Sequence, residues 1–241
     1  MKTLPTGWNV QHSDKQFVCL SGLPRTGSTL LSAILSQNPL IHAEGNSAVC
    51  QLMWDMEQSC ETSAKEQLQA NYRSSTQDAL VSAVPHIYYS ETDKPIIVDK
   101  CRSWTIPANL DMLFRYVDKQ PKIIVLERDV DEIVTSFAKL RKANGWTKNP
   151  KEGLLDEGSE PIMRSLAGVK AAKASGMDCF LFLSYDDLVK DTEAVLNKIY
   201  EFCGWDEFTH NLTSIENLHP ERDEVYGLIG QHDIRPTIGF R

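Results

Sequence analysis

Between an apolar run at 17–20 and a helical pattern at 29–37 stands Ser21-Gly22-Leu23-Pro24-Arg25-Thr26-Gly27-Ser28-Thr29-Leu30-Leu31. A strand that passes through a glycine-bearing turn straight into a helix aims several free backbone N–H groups at one spot, and that spot attracts anions. Gly22 and Gly27 allow the close backbone approach that a bound phosphate needs. The spacing Gly22-x4-Gly27-Ser28-Thr29 nearly fits the phosphate-loop pattern GxxxxGK[ST], with Ser28 where the lysine belongs. In that pattern the lysine serves the β/γ-phosphates and the next hydroxyl holds magnesium. Here the cation has moved inside the loop, to Arg25.

The rest of the chain repeats the same alternation. Strands are predicted at 95–99, 122–126 and 179–183, and helices at 106–117, 131–142, 162–174 and 192–203, with further helical segments between 45 and 84. Asn38-Pro39 ends the first helix, because a residue before proline avoids the helical region. In 131–142, Ile133, Val134, Phe137 and Leu140 share one face. Its acids, Asp131 and Glu132, come first and its bases, Lys139, Arg141 and Lys142, last, as the helix dipole favours. The stretch 145–161, rich in glycine and proline, is a loop, and the tail beyond Gly204 is irregular. Strands alternating with helices imply an α/β fold of three layers, a P-loop fold with a central, mostly parallel sheet flanked by helices. The 241 residues suit a single domain over 1–241. Ligands of such sheets bind beyond the carboxyl ends of the strands, which points to the turns after Leu20, Val98 and Leu126.

Composition narrows the partners. A formal net charge of −8 argues against a nucleic-acid binder, though a few aimed cations still serve a small anionic cofactor. The six cysteines are scattered without a CxxC pair, so no metal site is expected. No apolar run reaches membrane-span length, and 1–16 is polar without a signal-peptide core. These features lead to the expectation of a reducing, cytoplasmic home.

A second anion site lies in Lys122-Ile123-Ile124-Val125-Leu126-Glu127-Arg128-Asp129, a strand that ends in arginine, with Ser136 eight residues on. Taken alone, Arg128 fits an ion pair with Asp129 or Asp131 equally well. Together with the first loop it forms a pattern. Pro24-Arg25-Thr26-Gly27-Ser28-Thr29-Leu30 resembles the 5′-phosphosulfate loop of the sulfotransferases that use 3′-phosphoadenosine 5′-phosphosulfate (PAPS). Arg128 and Ser136 resemble that family's 3′-phosphate clamp, with Val130 where many relatives have proline or glycine. Ser184-Tyr185-Asp186-Asp187-Leu188 is similar to a further family segment, and the likeness runs from about residue 17 to 205.

The resemblance implies transfer of a sulfuryl group from PAPS to a hydroxyl acceptor, with release of adenosine 3′,5′-bisphosphate and without a metal. It implies that Arg25, Thr26, Gly27, Ser28 and Thr29 hold the 5′ end, that Arg128 and Ser136 hold the 3′-phosphate, and that Tyr185 stands on the nucleotide side. Lys100 matches a lysine that stabilises the leaving oxygen. The closest pattern is that of the protein-tyrosine branch, where a catalytic glutamate falls near His42-Ala43-Glu44-Gly45-Asn46. Glu44 is therefore the candidate base, with His42 and Asp99 behind it. Cys101 and Arg102 stand where the small-molecule branch has a catalytic histidine. Arg235 is a candidate for closing over the nucleotide, and Trp54, Tyr88, Tyr89 and Trp104 for lining an acceptor pocket. Two other readings stay open here: a nucleotide or small-molecule kinase with a degenerate loop, and a nucleotide-binding module without catalysis.

Overall fold

The computed structural model describes residues 15–158 and 162–238. Its centre is a sheet of five parallel strands: β1 (Gln16–Gly22), β2 (Ile41–Asn46), β3 (Ile96–Lys100), β4 (Lys122–Glu127) and β5 (Phe180–Ser184). They lie in the order β2-β3-β1-β4-β5. β1 is the middle strand, with Leu20 beside Lys100 on one side and beside Ile124 on the other. Ile123 through Leu126 are wholly buried, the continuous apolar run of a strand covered on both faces.

Ten helices cover that sheet among the described residues. α1 (Ser28–Leu35), α8 (Tyr185–Lys190) and α9 (Thr192–Cys203) supply the core on one face, where Leu31, Ile34, Leu188, Val195 and Ile199 meet Val18, Leu20, Val98 and Ile124. The other face carries α2 (Val49–Glu61), α4 (Thr76–Tyr88), α5 (Pro107–Tyr116), α6 (Val130–Ala143) and α7 (Ile162–Ser175), with Met53, Val81, Trp104, Leu113, Phe137 and Val169 inside. Two short helices, α3 (Lys65–Ala70) and α10 (Asp223–Tyr226), complete the set. Asp129 caps α6, accepting from the N–H groups of Asp131 and Glu132.

The four expected strands and the helices between them are present, and the three-layer α/β architecture holds. The differences have local causes. β2 is a fifth strand that sequence reading misses, because Glu44, Gly45 and Asn46 carry poor strand propensity. It lies at the sheet edge, where only Ile41, Ala43 and Gly45 are buried, and its register slips between Ala43 and Asn46. The helix expected at 106–117 is α5, one residue shorter at each end, and a 3-10 turn that sequence reading does not anticipate, Arg102–Thr105, leads into it. The loop expected at 145–161 has no helix or strand over 145–158, and 159–161 fall outside the described residues, as do most of the polar 1–16. Among the described residues, no helix is long and apolar enough to cross a membrane.

Candidate active site

The phosphate loop is held in a costly shape. Gly22 has φ +120°, and a Cβ there would fall 2.0 Å from the carbonyl oxygen of Leu126 on the next strand. Gly27 begins α1 in the left-handed region, φ +79°, with the ring of Tyr185 only 3.0 Å from where its Cβ would stand. Between them, Arg25 is left-handed at φ 59°. A non-glycine residue adopts that conformation at a cost of about 1–3 kcal/mol, which the surroundings must enforce. Thr26 does part of the enforcing: wholly buried, its hydroxyl donates to the Leu23 carbonyl at 2.8 Å. Its side chain is thus a brace, and its backbone is what it can offer an anion.

The two expected anion grips are joined. Arg128 Nη1 donates to the Arg25 carbonyl oxygen at 3.1 Å, and Arg25 Nε donates to Ser136 Oγ at 3.1 Å. Arg128 also lies over the ring of Tyr185, 4.2 Å from its centroid, and pairs with Glu132 at 2.8 Å rather than with Asp129 or Asp131. Asp129 is occupied as the cap of α6. Arg25, Gly27, Ser28, Thr29, Arg128, Ser136 and Tyr185 all line one cleft of about 550 Å³. Six cations border it (Arg25, Lys100, Arg102, Arg128, Lys139 and Arg235) against four acids (Asp131, Glu132, Asp186 and Asp233). The local charge thereby opposes the net charge of the chain, as a site for an anion requires.

Lys100 lies deeper, 6% exposed at the end of β3, with its ammonium donating to Asn46 Oδ1 at 2.8 Å. Burial first, and then the nearby Arg102 cation, pull its pKa down to about 8. Alternation along β3 turns Asp99 to the opposite face. Asp99 is wholly buried there and accepts from Tyr89 Oη and Trp104 Nε1, each at 2.7 Å. Burial pushes its carboxyl above the ordinary range. Asp99 is therefore a core group, and so are two of the aromatics expected to line an acceptor pocket. Trp104 is fully buried and Tyr89 nearly so, while Trp54 packs against the same core and Tyr88 remains partly exposed.

Glu44 lies on a strand and not in a solvated turn. Its carboxylate is 3.3 Å from His42 Nε2, and the His42 ring rests against His219, centroids 4.8 Å apart. Neither Glu44 nor His42 is among the residues lining the cleft, whereas Asn46, on the same strand, reaches Lys100.

The far wall of the cleft comes from the tail. Gln231, His232, Asp233, Ile234, Arg235, Thr237 and Ile238 line it, and the Arg25 guanidinium donates to the Gln231 carbonyl. Of these, sequence reading singles out Arg235 alone. The tail carries no period and no glycine motif, so the sequence-level signal for the wall is limited to its isolated His and Arg residues.

Among solved structures, the sulfotransferase domain of the Synechococcus PCC 7002 olefin synthase is similar, at 21% identity and a TM-score of 0.60 over 93% of this chain and 90% of that one. A sulfotransferase from Alicyclobacillus acidocaldarius follows at 14% identity and 0.57, over 88% and 87%. The sulfotransferase domain from the curacin biosynthetic pathway stands at 18% and 0.56, over 86% and 78%. No curated protein sequence matches the chain. At these identities the structural likeness speaks for the fold, which all three share with it. A family model described as the sulfotransferase family matches residues 18–210, a stretch that holds the strained loop, Lys100 and the Arg25–Arg128 bridge. On that match the chain belongs to the sulfotransferase family.

Proposed function

We propose that this sulfotransferase takes its sulfuryl group from PAPS, passes it to a hydroxyl-bearing acceptor and releases adenosine 3′,5′-bisphosphate, with 1–241 acting as one domain. PAPS, when bound, supplies an activated sulfuryl group on its 5′-phosphate. The backbone N–H groups of 26–29 and the Arg25 side chain hold that end, and Arg128 with Ser136 holds the 3′-phosphate. A guanidinium fork suits phosphate oxygens. Tyr185, already stacked beneath Arg128, keeps the fork oriented. Lys100 places a buried ammonium near the leaving oxygen, where charge develops as transfer proceeds. The work of these groups is positioning and charge stabilisation. For the acceptor proton, Glu44 is the group that the resemblance favours.

The observation that carries this reading is the hydrogen bond from Arg128 to the Arg25 carbonyl oxygen. It supports two phosphate grips within reach of a single nucleotide, in a cleft with room for one. The fit is supported further by the Tyr185 ring packed against Gly27, which keeps a side chain off the loop backbone at that point. Titration calorimetry tests the proposal: adenosine 3′,5′-bisphosphate is expected to bind about 100-fold more tightly than ATP with magnesium, roughly 2.7 kcal/mol. A preference for ATP overturns it.

A further inference from the structure

The family match ends at residue 210, and the wall that closes the cleft comes after it. In that wall one imidazole is arranged for proton chemistry. His232 is 9% exposed and lines the cleft. Its Nδ1 lies 2.5 Å from Asp223 Oδ1, and its backbone N–H donates to Asp223 Oδ2 at 3.2 Å. The Asp223 carboxylate holds both the backbone and the ring of this residue and places a proton on Nδ1, which leaves Nε2 as the ring atom that can gain one. On the Nε2 side is Glu221, with Oε2 at 3.3 Å. That oxygen is shut away from solvent and accepts no directed hydrogen bond among the described residues. The Gln231 side-chain amide, its nitrogen 3.2 Å from Nε2, donates to that lone pair; a proton arriving at Nε2 takes the place of the amide and is held by the Glu221 carboxylate as well. The Tyr226 ring backs the imidazole, centroids 5.4 Å apart, and its hydroxyl donates to Glu221 Oε1 at 3.1 Å.

Two chains of contact place this group at the transferring end. Through one, Arg25 of the phosphate loop holds the carbonyl of Gln231, the residue before His232. Through the other, the Glu221 carboxylate rests on Gly45, where a Cβ would fall 2.1 Å from Oε2, and the next residue, Asn46, takes the Lys100 ammonium. His232 is thus bracketed by the loop arginine and the buried lysine. The charged groups facing it are Asp223 and Glu221 from its own segment, Arg25 from the loop and, across Glu221, Lys100 from β3.

We propose that His232 Nε2, oriented by Asp223 and backed by Glu221, accepts the proton of the acceptor hydroxyl in place of Glu44, which does not line the cleft. The inference rests on the PAPS reading above. As the acceptor oxygen bonds to sulfur, the bond from sulfur to the 5′-phosphate oxygen breaks and its electron pair stays on that oxygen. The hydroxyl proton goes to Nε2, and from there to solvent. The product state therefore holds an imidazolium next to the 5′-phosphate.

That state can be tested without knowing the acceptor. Adenosine 3′,5′-bisphosphate is titrated into the full chain at pH 7.5 in two buffers of different ionisation enthalpy, which counts the protons taken up on binding. The wild type is expected to take up protons. His232→Asn is expected to lose most of that uptake, keeping only the share due to Lys100, while Kd stays within about threefold, under 1 kcal/mol. Glu44→Gln is expected to retain the uptake. Unchanged uptake in His232→Asn, or its loss in Glu44→Gln, overturns the assignment. Nitrogen-15 NMR of the wild type guards against a variant that fails to fold. There the Nε2 signal of His232 is expected to move from the lone-pair range to the protonated range on adding the bisphosphate, and a signal that stays put overturns the proposal. If the wild type fails to bind the bisphosphate at all, it is the PAPS reading that falls.

Discussion

At the scale of single residues, Lys100 has the most to lose from pH. Its ammonium is kept in a buried site and gives up its proton near pH 8, against 10.5 for an ordinary lysine. Sulfuryl transfer is expected to decline as pH rises through about 8, and Lys100→Arg to carry that limb upward, which a pH–rate profile reads. The stability effect runs the other way. Between about 8 and 10.5 the unfolded chain keeps a proton that the folded one has released, so folding gains as pH rises through that window. Below it the burial cost is present in full, and Lys100→Met is expected to stabilise the fold at pH 7 by about 3 kcal/mol, a gain that shrinks towards pH 10, measured by thermal denaturation at both values. On the PAPS reading, Arg128 bears on binding instead. Arg128→Ala removes a charge-assisted grip and is expected to weaken adenosine 3′,5′-bisphosphate about 100-fold, which calorimetry checks. Arg25 and Arg128 are legible in the sequence because each stands at the end of an apolar run, in a local pattern. Glu44 shows the limit of such reading. Its spacing from the loop is plain, but the strand that turns its carboxylate towards His42 is set by pairing with β3, which no local pattern records.

Among the elements, β1 and the turn that follows it are the least tolerant. Gly22→Ala would drive a methyl group against the Leu126 carbonyl, at 2.0 Å before any shift, in a conformation that L side chains rarely adopt. Loss of more than about 3 kcal/mol is expected, visible as a collapse in folded yield and thermal midpoint. Gly176→Ala is the control: it has the same sign of φ but nothing within 4 Å, and should cost about 1 kcal/mol. Helix positions are well legible, since caps, dipole-matched charges and a 3.6-residue period agree; α9 occupies the expected 192–203 and α6 departs by one residue at each end. β2 is less so, because an edge strand with one buried face needs few apolar residues. The tail wall is least legible of all, being held by scattered contacts such as Asn144 Nδ2 to the Ile229 carbonyl at 2.9 Å.

For the molecule as a whole, both cores draw on β1, β3, β4 and β5, so neither face can melt alone. A single cooperative transition is expected, and adenosine 3′,5′-bisphosphate at 100 times its Kd should add about 2.7 kcal/mol, moving the midpoint up by roughly 5–10 °C in differential scanning calorimetry. The same architecture explains why the fold reads from sequence more easily than the acceptor side does. The residues proposed to grip the nucleotide sit on strand ends that alternation predicts, while the region around Gly45, Glu221 and His232 is assembled from chain segments far apart in the sequence. One contact has a consequence for the entire binding event. Because the Arg128 guanidinium is tied to the backbone of Arg25, the two grips move as one rigid jaw. A nucleotide lacking its 3′-phosphate then forfeits more than a contact, for the unfilled half slackens the other, and penalties measured separately for Arg25→Ala and Arg128→Ala should sum to more than the double variant loses.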